Sequence, residues 1–134
     1  MAYRDRPPSC PRCQVELQRR PRRDIWRCPR CGGTHLAATE VERRLRLVEP
    51  EISDEVIRDV MTARPSRGEA LACPACQRAM QPISLGGVRV TRCDADDQIW
   101  LDAVALERVF ATAGARHQSQ RSWIGRLLSH LFAT

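Results

Sequence analysis

Two stretches decide the reading: CPRCGGTHLA at residues 28–37 and CDADDQIWLD at residues 93–102. They align without a gap, and each follows an upstream C-P-x-C pair. In the first unit, Cys10-Pro-Arg-Cys13 is followed after 14 residues by Cys28-Pro-Arg-Cys31. In the second, Cys73-Pro-Ala-Cys76 is followed after 16 residues by Cys93-Asp-Ala-Asp96. The chain is an imperfect tandem repeat, and the position of Cys31 in unit one is held by Asp96 in unit two.

Two cysteines at i and i+3 in a tight knuckle aim both sulfurs at one ion, and two knuckles joined by a returning hairpin complete a tetrahedron. Proline inside the pair presets the turn, and glycine just after it relieves a position with φ > 0. Cys10, Cys13, Cys28 and Cys31 therefore read as a zinc site. A rubredoxin-like iron centre has similar knuckles and stays open as an alternative. Redox C-x-x-C chemistry wants a βαβ setting, whereas hairpins surround these pairs. The N-terminal residues MAYRDRPPSC contain no apolar signal segment, and no apolar run approaches membrane-spanning length. Six of seven cysteines in paired spacing then fit metal in a reducing cytoplasm better than disulfides.

For unit two the residues leave three outcomes open. Asp96 is the favoured fourth ligand beside Cys73, Cys76 and Cys93, because a carboxylate oxygen is an accepted zinc ligand. Asp97-Gln98 in place of Gly32-Gly33 weighs against the same knuckle dihedrals. The alternatives are an empty site with Cys93 as a buried thiol, and an open three-cysteine site with Asp94, Asp96 or Asp97 as a base.

The segments between the knuckles show hairpin patterns. Ile83 and Leu85 alternate before Gly86-Gly87, and Val88 and Val90 after it. In unit one Val15 and Leu17 lead to a looser turn over Arg19–Asp24, and Ile25-Trp26 return. A helix follows each unit. The first has a Thr39/Glu42 capping box with Val41, Leu45 and Val48 on one face; the second has Asp102 as N-cap and Leu101/Leu106 as a staple. Ser53, Asp54, Glu55, Ile52 and Ile57 mark a separate connecting helix. Trp123, Ile124, Leu127, Leu128, Leu131 and Phe132 stand at helical spacing near the end.

The stretch CPRCQVELQRRPRRDIWRCPRCGGTHLAATEVERRL resembles the transcription factor IIB-type zinc-finger family, small bacterial and archaeal zinc ribbons. Cys10, Cys13, Cys28, Cys31, Gly32, Gly33, Leu36 and Glu40 match its pattern, with His35 where the family has Trp and Ala37 where it has Asp. Unit two matches in complementary places, at Cys73, Cys76, Cys93, Trp100, Leu101 and Asp102. The resemblance implies a zinc-ribbon fold and little about activity. The expected fold is thus small, α+β and metal-stabilised: two tandem zinc ribbons, each followed by a helix, plus a connecting helix and a C-terminal amphipathic helix. The segments are 1–48, first ribbon with helix; 49–67, connecting helix and linker; 68–115, second ribbon with helix; and 116–134, C-terminal helix. Two zinc sites are expected.

All 22 basic residues are arginine, and residues 1–48 hold 12 of them against 5 acidic residues. Loading both sites with thiolates and Zn²⁺ lowers the formal charge from +6 to roughly +3, modest for a nucleic-acid binder. Arg19, Arg20, Arg22 and Arg23 on the unit-one hairpin suit phosphate contact, with Trp26 available to stack on a base. The plainer reading is a solvated loop. His35 is a packing residue more readily than a spare ligand, because four cysteines already fill the shell. No Gly-rich phosphate loop, H-E-x-x-H or Ser/His/Asp set is present, so the chain reads as non-enzymatic. The leading expectation is an adaptor that contacts DNA or RNA. The rival is a protein-binding or self-associating adaptor using the Trp123–Phe132 helix, with no membrane role.

Overall fold

The computed structural model describes the backbone of residues 7–21 and 24–132, and side chains through Arg121. The elements run β1 (Gln18–Arg19), β2 (Trp26–Arg27), β3 (Thr34–Ala37), α1 (Ala38–Val48), α2 (Asp54–Met61), β4 (Arg64–Pro65), β5 (Gln81–Leu85), β6 (Val88–Cys93), β7 (Gln98–Leu101) and α3 (Ala103–Phe132). Among the described residues, seven strands form one antiparallel sheet in the order β1-β2-β3-β7-β6-β5-β4.

The two ribbons are joined through β3 and β7. Their register pairs Thr34 with Leu101, His35 with Trp100, Leu36 with Ile99 and Ala37 with Gln98. His35 and Trp100 are equivalent positions of the repeat, as are Leu36 and Leu101, and Thr34 and Ile99. Equivalent strands therefore pair about a pseudo-two-fold axis through the His35–Trp100 pair. The chain folds like a dimer of ribbons made within one polypeptide.

Alternation along the strands gives the sheet two different faces. Leu36, Val90, Ile99 and Leu101 point to a helix-covered face, where they pack with Val41 and Leu45 of α1, Val56, Ile57 and Val60 of α2, and Val109 and Ala113 of α3. Trp100 points to the other face, among Cys10, Cys28, Cys73, Cys93, Leu17 and Met80. Neither ribbon alone has so large an apolar core, so pairing them supplies what a module of this size lacks.

The Gly86-Gly87 turn is as expected, both glycines holding positive φ (58° and 82°) between β5 and β6. So is the α2 start, where the Ser53 hydroxyl accepts the Val56 amide at 3.2 Å, with Ile52 and Ile57 both buried. Three details differ from expectation. The Thr39/Glu42 capping box is absent: β3 runs directly into α1, Ala37 is the N-cap and no side chain caps it. The Ala38 amide instead donates to the Asp97 carbonyl across the ribbon junction at 3.4 Å. Val48 is exposed at the end of α1, where the last turn leaves the core. No break falls near residue 116, because the helix after unit two and the terminal amphipathic segment are one helix, α3. That helix lies along α2, tied by the Ser53 hydroxyl donating to Gln120 at 3.0 Å, by an Arg116–Asp59 ion pair, and by Arg121–Glu51 at 3.2 Å.

Candidate metal centres

Four knuckles build two sites. In each, the amide after the second ligand position donates to the carbonyl of the first: Gln14 to Cys10 at 3.0 Å, Gly32 to Cys28 at 2.9 Å, Gln77 to Cys73 at 2.9 Å, and Asp97 to Cys93 at 3.0 Å. Each donor holds a positive φ, of 61°, 77°, 67° and 56° respectively. Only one of the four is glycine. Asp97 therefore adopts the dihedral that Gly32 adopts, and the knuckle around Asp96 is intact. The first knuckles also repeat at the bridges Ser9↔Glu16 and Ala72↔Ala79.

Each site gathers four donors. Cys10, Cys13, Cys28 and Cys31 bring their sulfurs within 4.8 Å of one another, and Cys73, Cys76, Cys93 and Asp96 do the same with three sulfurs and a carboxylate oxygen. Zn–S bonds of about 2.3 Å at tetrahedral angles separate sulfurs by about 3.8 Å. The Cys10–Cys31 separation is 3.7 Å, Cys76–Cys93 is 3.5 Å, and Cys73 Sγ to Asp96 Oδ2 is 3.5 Å. Both donor sets fit zinc. The other oxygen of Asp96 accepts the Gln98 amide at 3.1 Å, which fixes the carboxylate with Oδ2 turned inward. Asp97 turns away to Arg92, whose Nε donates to it at 2.9 Å. Asp94 and Asp97 belong to neither cluster.

Backbone amides tune the sulfurs. Burial raises the Cys10 thiol to about 12, and it raises Cys73 to about 12 as well. Burial also opposes ionisation of Cys28. There the amides of Cys31 and Arg30, at 3.4 Å each, together with the Cys31 and Cys10 thiols, outweigh it and hold Cys28 near 7. Cys76 is lowered in the same way, against its burial, by the Arg78 amide and its neighbouring thiols. Each site thus holds one thiol that ionises more readily than a free one, and metal binding releases thiol protons. No disulfide joins any of the seven cysteines.

His35 is not a donor in either cluster. It is buried between its cross-strand neighbours Trp26 and Trp100, and burial lowers its pKa. Trp100 packs against Gly33 of the other ribbon so closely that a Cβ there would overlap the indole ring. Beside it, Arg12 from the first knuckle donates to Asp102 at 2.9 and 3.4 Å and lies 3.5 Å from Glu69, a clamp between units that sequence reasoning missed. Arg19 and Arg20 stand exposed on the unit-one hairpin, Arg19 with Asp24 at 3.8 Å. Arg22 and Arg23 lie outside the described residues. So do the side chains of the Trp123–Phe132 stripe, although its backbone is helical.

The family model for the transcription factor zinc-finger matches residues 9–46 and 72–112, one copy over each ribbon. The chain belongs to this zinc-finger family. No curated protein and no solved structure matches it. The two matches begin just before the two first knuckles and leave out α2 and most of α3. No helix among the described residues is long and apolar enough to cross a membrane.

Proposed function

We propose that this zinc finger is a non-enzymatic, cytoplasmic adaptor whose two zinc ions are structural, with Cys10, Cys13, Cys28 and Cys31 as ligands of one and Cys73, Cys76, Cys93 and Asp96 as ligands of the other. Two closed four-donor sets leave no open coordination position for a substrate, which supports a structural role over chemistry at the metal. The adaptor contacts nucleic acid through the unit-one hairpin. The observation that carries this reading is the edge of the sheet. There Arg19 is cross-strand to the half-buried Trp26 on one face, and the exposed Arg20 and Arg27 line a pocket on the opposite, helix-covered face. An aromatic side chain beside one guanidinium group, at a sheet edge that carries others, suits stacked bases and phosphates together.

The test replaces Arg19, Arg20, Arg22 and Arg23 with glutamine in the zinc-loaded protein. Gel retardation of DNA or RNA should disappear, and the salt dependence should flatten by about one unit of slope per lost phosphate contact. If the unmodified protein retards neither nucleic acid at low salt, the nucleic-acid reading is wrong. The second reading, a protein-binding or self-associating adaptor, rests on the apolar positions 123–132 of α3 at helical spacing. Truncation after Arg121 should then abolish partner capture or dimer formation.

A further inference from the structure

On the metal-facing side of the sheet, away from the arginine hairpin, lies a cavity of about 280 Å³ between the two ribbons. Its floor is a cross-strand row of Pro82, Thr91 and Trp100, and Leu71, just before the second ribbon's first knuckle, adds an apolar wall. Three arginines line it: Arg12, Arg67 and Arg89. Arg12 is neutralised by Asp102 and Glu69. Among the described residues, Arg67 and Arg89 have no acidic partner within ion-pair distance. The cavity therefore has two arginines without an ion-pair partner, and its lining of three arginines and two carboxylates carries a net charge of +1.

A second, independent observation points to a ligand. Thr91 and Trp100 are both more than nine-tenths buried, and the Thr91 Oγ1 and Trp100 Nε1 atoms have no hydrogen-bond partner. An indole N–H is a donor only, and a buried donor without an acceptor is costly. The orphaned groups lie beneath the floor of the cavity, beside two free guanidinium groups and an apolar wall. That combination suits a small molecule with an apolar body and an anionic oxygen head.

We propose that this cavity binds a small organic oxyanion, a phosphate monoester or a carboxylate. Arg67 and Arg89 hold its oxygens, and Trp100 and Thr91 complete the hydrogen bonding. Both heads share the chemistry that a planar guanidinium fork recognises. The site is independent of the nucleic-acid reading, because it uses none of the hairpin arginines.

The test follows the indole N–H resonances of the zinc-loaded, full-length protein by NMR. The chain has three tryptophans, so the Trp100 signal is assigned by Trp26→Phe and Trp123→Phe. Sodium phosphate and sodium acetate are titrated separately, with sodium chloride at matched ionic strength as control. A saturable shift of the Trp100 indole in phosphate alone assigns the phosphate head; in acetate alone, the carboxylate. Arg89→Gln and Arg67→Gln should each weaken binding about tenfold or more, as expected for losing one charge-assisted contact. Arg67 lies in the exposed linker, so its variant tests the contact even if Arg89→Gln folds poorly. Zinc content of two equivalents verifies that each variant is intact. No saturable shift in either salt, an equal shift in chloride, or unchanged affinity in an intact Arg67→Gln protein would overturn the proposal.

Discussion

The two ribbons have the same knuckles but different chemistry in them. Unit one keeps four cysteines, a Gly-Gly step after the last, and a histidine at the centre of β3. Unit two keeps three cysteines, an aspartate, an Asp-Gln step, and a tryptophan at the centre of β7. The backbone hydrogen bonds hardly notice, as the four equivalent amide-to-carbonyl distances of 2.9–3.0 Å show. Knuckle geometry is therefore set by the hydrogen-bonded turn, and glycine eases it without being required. The divergence is also complementary. His35 and Trp100 are cross-strand partners on the pseudo-two-fold axis, and Trp100 reaches over to Gly33, whose counterpart in unit two is Gln98. One indole fits at the axis, and the ribbon it leans on must have a glycine there. The internal duplication has broken its own symmetry where symmetric side chains would compete for the same space.

The largest expected effect separates the ribbons by their dependence on metal. Cys28→Ser, or chelation, should unfold residues 10–48. Structural zinc contributes on the order of 10 kcal/mol or more in small modules, more than unit one's own packing provides. Because β3 pairs with β7, the loss should also expose the β7 amides. Hydrogen exchange measures both. Hairpin amides that stay protected after chelation would contradict the structural role of zinc.

Next is the asymmetric ligand. Asp96→Ala should lower zinc content from two equivalents towards one, and Asp96→Cys should tighten the second site by tenfold or more, about 1.4 kcal/mol per decade. Metal titration against a chromophoric chelator reads both. If the unmodified protein holds a single equivalent in excess zinc, Asp96 is not a ligand and unit two is a ribbon without metal.

Much of this was legible in the sequence. The duplication, all eight donors, the Gly86-Gly87 hairpin and the Ser53 cap are local signals, each written in a few adjacent residues. The joining of ribbons was not, because the β3–β7 pairing links segments more than sixty residues apart and depends on which faces the folded units leave unpaired. For the same reason Thr39 looked like a cap. Nothing local says that β3 will be drawn out to Ala37 by its partner strand. The exchange of histidine for tryptophan at equivalent positions, with Gly33 kept on one side only, was the available sign that the repeats touch.

A smaller effect tests that contact. Gly33→Ala should destabilise the protein by roughly 1–3 kcal/mol, the usual cost of overpacking, because its methyl group would overlap the Trp100 ring. In a Trp100→His background, which makes the axis His/His, the same change should cost much less. A denaturation double-mutant cycle at saturating zinc measures the difference. Additive costs would mean that Gly33 is needed for its backbone and not for the indole.

The smallest expected effect returns to the knuckles. Gln77 holds φ +67° and Asp97 holds φ +56° at equivalent turns, where unit one has Gly32 at +77°. A left-handed conformation costs a side-chain-bearing residue about 1–2 kcal/mol, and glycine's greater freedom in the unfolded chain returns about 0.5–1 kcal/mol of that when it is introduced. Gln77→Gly should therefore stabilise unit two by about 0.5 kcal/mol, since Gln77 loses only a long 3.4 Å hydrogen bond to the Pro74 carbonyl. Asp97→Gly should gain nothing. Aspartate tolerates the left-handed region better than glutamine, and the change removes the exposed Arg92–Asp97 pair, worth about 0–1 kcal/mol. Chemical denaturation at fixed free zinc resolves the two. Equal stabilisation by both would show that the aspartate side chain contributes nothing at this turn, and that Asp97 differs from Gly32 only by its strain.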